Sequence, residues 1–379
     1  MIYLDHAAAT PVSKKALAAM QPYFADDFFN PSAAYLPAKK VRADYENAKA
    51  TIAHCIGAKG TDVVMTSGAT EANNLAFSLV KKKCLVLASE HDSVLNVAKN
   101  YQCEQIAVQK SGLIDLVDFK KKLDKDVELV SIALAGNELG TIQPLAEIAG
   151  LIRAERERRL AAGDKTPIFL HSDASQAMNL LDINVARLGV DLLTVNSAKV
   201  YGPKGVGALY LSHDVRLQPL IYGGGQENGL RSGTENVAGV IGFATAFKEA
   251  KEHLNGNRKK YEKLSKILRD ELKKGAVEPI FLGSAKHQLA NFCPVSYPGI
   301  DAERVIFKLE ENKVYVSTGA ACAASKGRKS HTLAAIGLTD TEIAGSLRLS
   351  LGELNSEENI KKAAEIINRV VKEEYERGK

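Results

Sequence analysis

The chain has 379 residues, 45% of them hydrophobic and 25% charged; at this length about two domains are expected, and the composition excludes a disordered, collagen-like or disulfide-scaffold protein. Fifty Lys and Arg against 45 Asp and Glu leave a net charge of only +5. The basic clusters at 81–83, 120–122 and 326–329 are short and scattered, which argues against direct nucleic-acid binding.

No apolar run of about 18 residues marks a membrane span, and the start, Met1-Ile2-Tyr3-Leu4-Asp5-His6, lacks the basic and apolar regions of a signal peptide. Cysteines stand at 55, 84, 103, 293 and 322 with no CxxC pair. That pattern predicts free thiols in a reducing, cytoplasmic setting and no metal site.

In chain order, apolar runs predict strands over 62–66, 84–88, 105–108, 129–134, 167–171, 191–195 and 206–211. Helical stretches such as 72–80 and 145–160 lie between most of them. The alternation predicts an α/β fold: a mainly parallel sheet of seven strands, covered by helices. A long charged helical stretch over 235–274 reads as a bridge to a second unit. Strands over 290–297, 313–316 and 347–351, with helices over 301–311 and 357–377, make that unit a smaller α+β domain. The expected division is 12–260 for the large domain and 1–11 plus 261–379 for the small one.

In a parallel sheet ligands sit beyond the carboxyl ends of the strands, and five such positions carry chemistry. Thr66-Ser67-Gly68-Ala69-Thr70-Glu71 opens a helix and offers backbone N–H groups to a phosphate. His91 follows the second strand and can stack on a flat ring or shuttle protons. Asn137 can donate to a carboxylate or a phenolic oxygen. Asp173, with Gln176 three residues on, can keep a heteroaromatic nitrogen protonated. Lys199, in Asn196-Ser197-Ala198-Lys199 before Gly202-Pro203-Lys204-Gly205, can form a Schiff base, made nucleophilic by desolvation. Each alone reads as easily as a helix cap, a turn or a surface lysine. Together they are the parts that hold pyridoxal phosphate.

Over nearly its whole length the sequence resembles the cysteine desulfurases, a class V aminotransferase branch of the fold-type I pyridoxal-phosphate enzymes. The resemblance rests on Tyr3-Leu4-Asp5-His6-Ala7-Ala8-Ala9-Thr10-Pro11, Asn30-Pro31-Ser32, the strand-end segments above, Gly223-Gly224-Gly225-Gln226-Glu227 and Arg231-Ser232-Gly233-Thr234. Its most specific parts are Ser317-Thr318-Gly319-Ala320-Ala321-Cys322 and Leu347-Arg348-Leu349-Ser350-Leu351-Gly352.

The resemblance implies roles. Lys199 is the Schiff-base lysine and moves protons at the substrate Cα. His91 stacks on the cofactor ring and assists proton transfer. Asp173 and Gln176 hold the pyridine nitrogen and the phenolic oxygen. Thr70 and the backbone of Ala69 bind the phosphate, and Thr234 reaches the phosphate of a second subunit, so a homodimer is implied. Arg348 and Asn137 bind the substrate carboxylate. Cys322 takes the sulfur of L-cysteine as a persulfide, alanine leaves, and the sulfur passes to an acceptor protein for iron–sulfur cluster assembly or tRNA thiolation. The small residues around Cys322 predict a mobile, exposed loop, and Lys326, Arg328 and Lys329 can favour its thiolate.

Two departures stand out. Ala198 occupies the place where the family usually carries a phosphate-binding His before the lysine, leaving Asn196 and Ser197 as substitutes. Leu36 and Lys39 replace the His and Gly that usually follow Asn-Pro-Ser. The chain also ends soon after its last helix, where longer members carry a tail that docks the scaffold protein. A selenocysteine lyase, a cystine C–S lyase, or a weakly active homologue serving as a partner in a sulfur-transfer complex remain as alternatives.

Overall fold

The computed structural model describes residues 1–318 and 329–378. Twelve strands are named in chain order: β1 Ile2–Tyr3, β2 Val63–Thr66, β3 Lys83–Leu87, β4 Gln102–Ile106, β5 Val127–Ser131, β6 Phe169–Asp173, β7 Leu192–Asn196, β8 Gly207–Leu211, β9 Ile280–Phe281, β10 Phe292–Ser296, β11 Val314–Tyr315 and β12 Ser346–Ser350. β2 to β8 form one seven-stranded sheet in the order β2-β8-β7-β6-β5-β3-β4. β8 runs antiparallel to both neighbours, while the pairs from β7 out to β4 are parallel. The expected mainly parallel sheet is therefore present, with its antiparallel member next to one edge.

The apolar runs fall where sequence patterning put them, with end shifts that have local causes. Pro167 has no N–H to give a ladder, so β6 begins at Phe169 and continues to Asp173. The third expected strand moves back to 102–106, because Val108 bridges Ile114 instead. One long helix escaped the sequence reading: Leu36–Cys55 buries Val41, Tyr45, Ala48 and Ile52, at the spacing of one helical stripe.

The stretch expected as one bridging helix is two, Val237–Glu252 and Leu254–Leu272, meeting at His253. Phe243 and Phe247 of the first belong to the core beside the large sheet. Tyr261, Leu264 and Leu268 of the second belong to another core, shared with Ile2, Leu4, Val295 and Leu349. That second core lies about an antiparallel sheet, β12-β10-β9. The N-terminus joins it, with β1 parallel to β11 and Asp5 bridged to Ser350.

Cys55, Cys84, Cys103 and Cys293 are free thiols. Cys84 and Cys103 stand opposite each other on β3 and β4. Among the described residues no helix is long and apolar enough to cross a membrane, and no cluster of His, Cys, Asp and Glu can hold a metal ion.

Candidate active site

Strands β2, β3, β5, β6 and β7 deliver their following residues to one cavity of about 300 Å³, within the range of small-molecule sites. Ala69, Thr70, His91, Asn137, Asp173, Gln176, Asn196, Lys199 and Arg348 all line it. Residues spread over 280 positions of sequence thus meet at the carboxyl edge of the sheet.

At one end the helix Ala69–Phe77 begins. Its N-cap is Gly68, which supplies no side-chain cap and sits at φ 149°, a conformation that favours glycine. The first-turn N–H groups therefore have no side-chain acceptor and point their partial positive charge at the cavity. Glu71 instead turns back, accepting from Ser67 N–H at 2.7 Å and from Arg231 Nε at 3.0 Å.

At the other end Asp173 closes β6. Its Oδ1 accepts from the Ser175 N–H and its Oδ2 from Asn73 Nδ2, both at 2.9 Å. Asn73 is fully buried and also donates to Ser93 Oγ at 2.9 Å. Ser93 in turn contacts His91 Nδ1 through its hydroxyl at 2.9 Å and its N–H at 3.1 Å. His91 is the N-cap of the helix Asp92–Ala98. Burial lowers its pKa, opposed by Asp173 and assisted by Lys199. Beneath Asp173, His171 is enclosed between Ser131 and Thr194, and burial takes its pKa down to about 4, so it stays neutral.

Lys199 sits on a short turn after β7. Its Nζ donates to the carbonyls of Ala7 and Ala8 at 2.8 and 2.6 Å, and Gln176 Nε2 donates to the same Ala7 carbonyl at 3.0 Å. The N-terminal segment is therefore part of the site. Arg348, on β12, reaches in from the second core. It is 4% exposed, bonds Asp5 Oδ1 at 2.7 Å and the Asn137 carbonyl at 3.1 Å, and its buried Nε–H has no partner among the described residues. A buried guanidinium with spare donors suits a carboxylate.

Cys322, Lys326 and Arg328 lie outside the described residues. The flanks of that segment are bonded to residues that line the cavity. Ser317 pairs through its backbone with Arg348. On the far side Ser330 donates to buried Glu138 at 2.6 Å, and His331 Nε2 meets the Glu90 carbonyl at 2.8 Å. Lys329 forms an exposed ion pair with Asp340 at 2.7 Å.

One residue expected at this cavity is not brought to it, and Thr234, expected at a second subunit's phosphate, lies elsewhere. Ser197 is fully buried, facing Gly202, where a Cβ would come within 2.2 Å of its Oγ. Asn196 alone of that pair lines the cavity. Thr234 is exposed on the surface, outside this cavity's lining. The sequence reading missed Asn73, Ser93, Glu90, Asp5 and His331. Asn73 had a usable signal, since it lies one helical turn after Thr70; Asp5 and His331 enter only through tertiary packing.

The site suits the pyridoxal phosphate that the resemblance implies. An uncapped helix N-terminus lies at one end and a carboxylate with spare lone pairs at the other, with a lysine amine and a histidine ring on the walls. The pattern of aminotransferase class V matches residues 2–363. The chain belongs to this family. It is 36% identical to cysteine desulfurase IscS 1 of Archaeoglobus fulgidus, over 98% of this chain and 97% of the relative. Among solved structures, a NifS-like protein superposes with a TM-score of 0.88 at 30% identity, covering 98% of this chain and 99% of the other. The structure of SspA in complex with cysteine superposes with a TM-score of 0.80 at 31% identity, covering 93% and 99%.

Proposed function

We propose that this class V aminotransferase is a pyridoxal-phosphate-dependent cysteine desulfurase acting in the cavity at the sheet's carboxyl edge. The observation that carries the reading is convergence. Lys199, His91, Asp173 and Arg348 line one cavity, and both flanks of the segment bearing Cys322 are bonded to its wall. Such a relative as the desulfurase of A. fulgidus, aligned from end to end, supports the same activity.

In this reading Ala69 N–H, Thr70 and Asn196 hold the cofactor phosphate, Asp173 its ring nitrogen, Gln176 its phenolic oxygen, and His91 stacks on the ring. When bound, pyridoxal phosphate supplies an electron sink for the bonds at the substrate Cα. Arg348, with Asn137, orients the carboxylate of L-cysteine. Lys199 moves the Cα proton. The Cys322 thiolate attacks the substrate sulfur. A new S–S bond forms as the C–S bond breaks, the substrate carbon keeps the bonding pair, and that carbon takes a proton to become the methyl group of alanine. Cys322 is left as a persulfide, whose sulfur goes to an acceptor protein.

We further propose a homodimer in which Thr234 completes the partner's phosphate site. Ile221 bridges Arg231, so the exposed Leu220, Ile221 and Tyr222 lie beside the Thr234 segment and form an apolar face for a second copy. We take 12–260 and 1–11 plus 261–379 as the two domains, in line with the two cores. The decisive experiment compares wild type with Cys322→Ser, supplied with pyridoxal phosphate and L-cysteine. Alanine and protein-bound persulfide from the wild type alone support the reading; wild-type persulfide rates in Cys322→Ser refute it.

A further inference from the structure

The hydrogen bonds between Asp173 and His91 have only one consistent direction. Asp173 is a carboxylate and accepts, so the Asn73 side chain must present its NH₂ to it rather than its oxygen. The same NH₂ then donates its other hydrogen to Ser93 Oγ, at 2.9 Å. Ser93 Oγ, already an acceptor, has its own hydrogen left for His91 Nδ1, at 2.9 Å. The Ser93 backbone N–H, which can only donate, points at the same nitrogen at 3.1 Å. Nδ1 is thus an acceptor from two sides. A reversed amide would set its oxygen against the Asp173 carboxylate, and that repulsion in a buried site is costly. The Asn73 oxygen is left buried without a partner among the described residues, a cost accepted to keep the NH₂ in place.

We propose that Asn73 and Ser93 are positioning residues which lock the His91 ring in one tautomer, with its proton on Nε2 toward the cavity. His91 then meets the reacting groups as a hydrogen-bond donor with a fixed ring plane, and its Nδ1 is closed to protons. The inference rests on the reading of His91 and Asp173 as cofactor partners for its purpose, but not for its geometry, which belongs to the chain alone. Other charges act on the ring as well: Asp173 from β6, Lys199 from the turn after β7, Asp92 on its own helix and His331 from the helix after residue 330. Glu90 precedes it in the chain. None of these groups is altered in the variants below.

The test uses full-length protein labelled with ¹⁵N-histidine, with and without pyridoxal phosphate. The chain has eight histidines, and His91→Gln identifies the signal by its loss. In the wild type His91 is expected to show protonated Nε2 and unprotonated Nδ1 throughout its neutral range. Ser93→Ala removes one of the two donors to Nδ1 and keeps the backbone N–H, so the Nδ1–H tautomer gains only a minor share and the ring pKa rises by roughly 0.5–1 unit. Ser93→Thr, which keeps the hydroxyl, restores the wild-type pattern. Asn73→Leu, which removes the donor that fixes the Ser93 hydroxyl, moves in the same direction as Ser93→Ala; if it does not fold, the Ser93 pair decides alone. A Ser93→Ala protein with unchanged tautomer and pKa overturns the proposal. The visible absorption of bound cofactor in the same samples reports separately on the functional reading: a chain that takes up no cofactor refutes that reading and leaves the tautomer result standing.

Discussion

The two ends of the cavity are built differently. The end that holds Asp173 and His91 is a closed set of side-chain bonds. Asn73 is fully buried, Ser93 is nearly so, and every donor between them is committed. The end at Ala69 and Thr70 is backbone: an uncapped helix start after Gly68, with Thr70 exposed and Ala198 where a histidine is usual in the family. The first end is preorganised by the chain itself. The second gains its grip from N–H groups that no side-chain truncation removes, and in our proposal from Thr234 of a second copy. A substitution at the side-chain end should therefore cost more than one at the backbone end.

The largest effect is expected at the lysine between the two ends. Lys199→Ala should lower kcat/KM for alanine release by on the order of 10⁴-fold, measured by amino-acid analysis with L-cysteine. Next, Asp173→Asn should reduce kcat by about 10²–10³-fold, as for removal of one preorganised electrostatic partner. Thr70→Ala should weaken cofactor binding about tenfold or less, the value of one hydrogen bond, in a pyridoxal-phosphate titration. An equal loss at Thr70 would break the contrast.

Arg348→Lys keeps the charge but not the fork that meets both Asp5 and Asn137. It should raise KM about 10- to 100-fold with a smaller change in kcat, which steady-state kinetics will separate. A separate effect is on stability. Burial, with some help from the Asp173 charge, lifts the Glu90 carboxyl to about 8, although the Ala133 N–H bonds it at 2.5 Å. The folded protein thus holds a proton that the unfolded chain releases near the ordinary value of 4.5. Stability is full below that value and falls as pH rises toward about 8, by up to about 1.4 kcal/mol per unit. Glu90→Gln should flatten the slope in denaturant titrations from pH 5 to 8. A slope the same as the wild type's would mean that Glu90 is ionised throughout.

The side-chain end was only half legible in sequence. Asp173, Gln176 and His91 follow apolar strands, so strand patterning pointed to them. Asn73 lies inside a helix and Ser93 behind a histidine that looked like an ordinary cap. Their pairing depends on how the helices Ala69–Phe77 and Asp92–Ala98 pack against each other, which no periodicity encodes. The backbone end was legible as a small-residue run, but the side-chain cap that usually explains such a run is absent here, and that is what leaves its N–H groups open. Ser197 looked equivalent to Asn196, yet a side chain on the next residue of a tight turn faces the other way, into Gly202. Arg348 was assigned from resemblance; its bond to Asp5 spans 343 residues of sequence and accompanies the isolated bridge of Asp5 to Ser350. The large sheet was readable because its strands are locally apolar; the junction at His253 was not, because helical pattern continues across it.

The most direct test of the central claim is to follow the purified protein with pyridoxal phosphate as L-cysteine is added, recording the cofactor's visible absorption and the alanine formed. The account predicts a cofactor band that shifts on adding cysteine, and alanine appearing together with persulfide on the protein. A bound cofactor whose spectrum ignores L-cysteine, with no alanine formed, would contradict it.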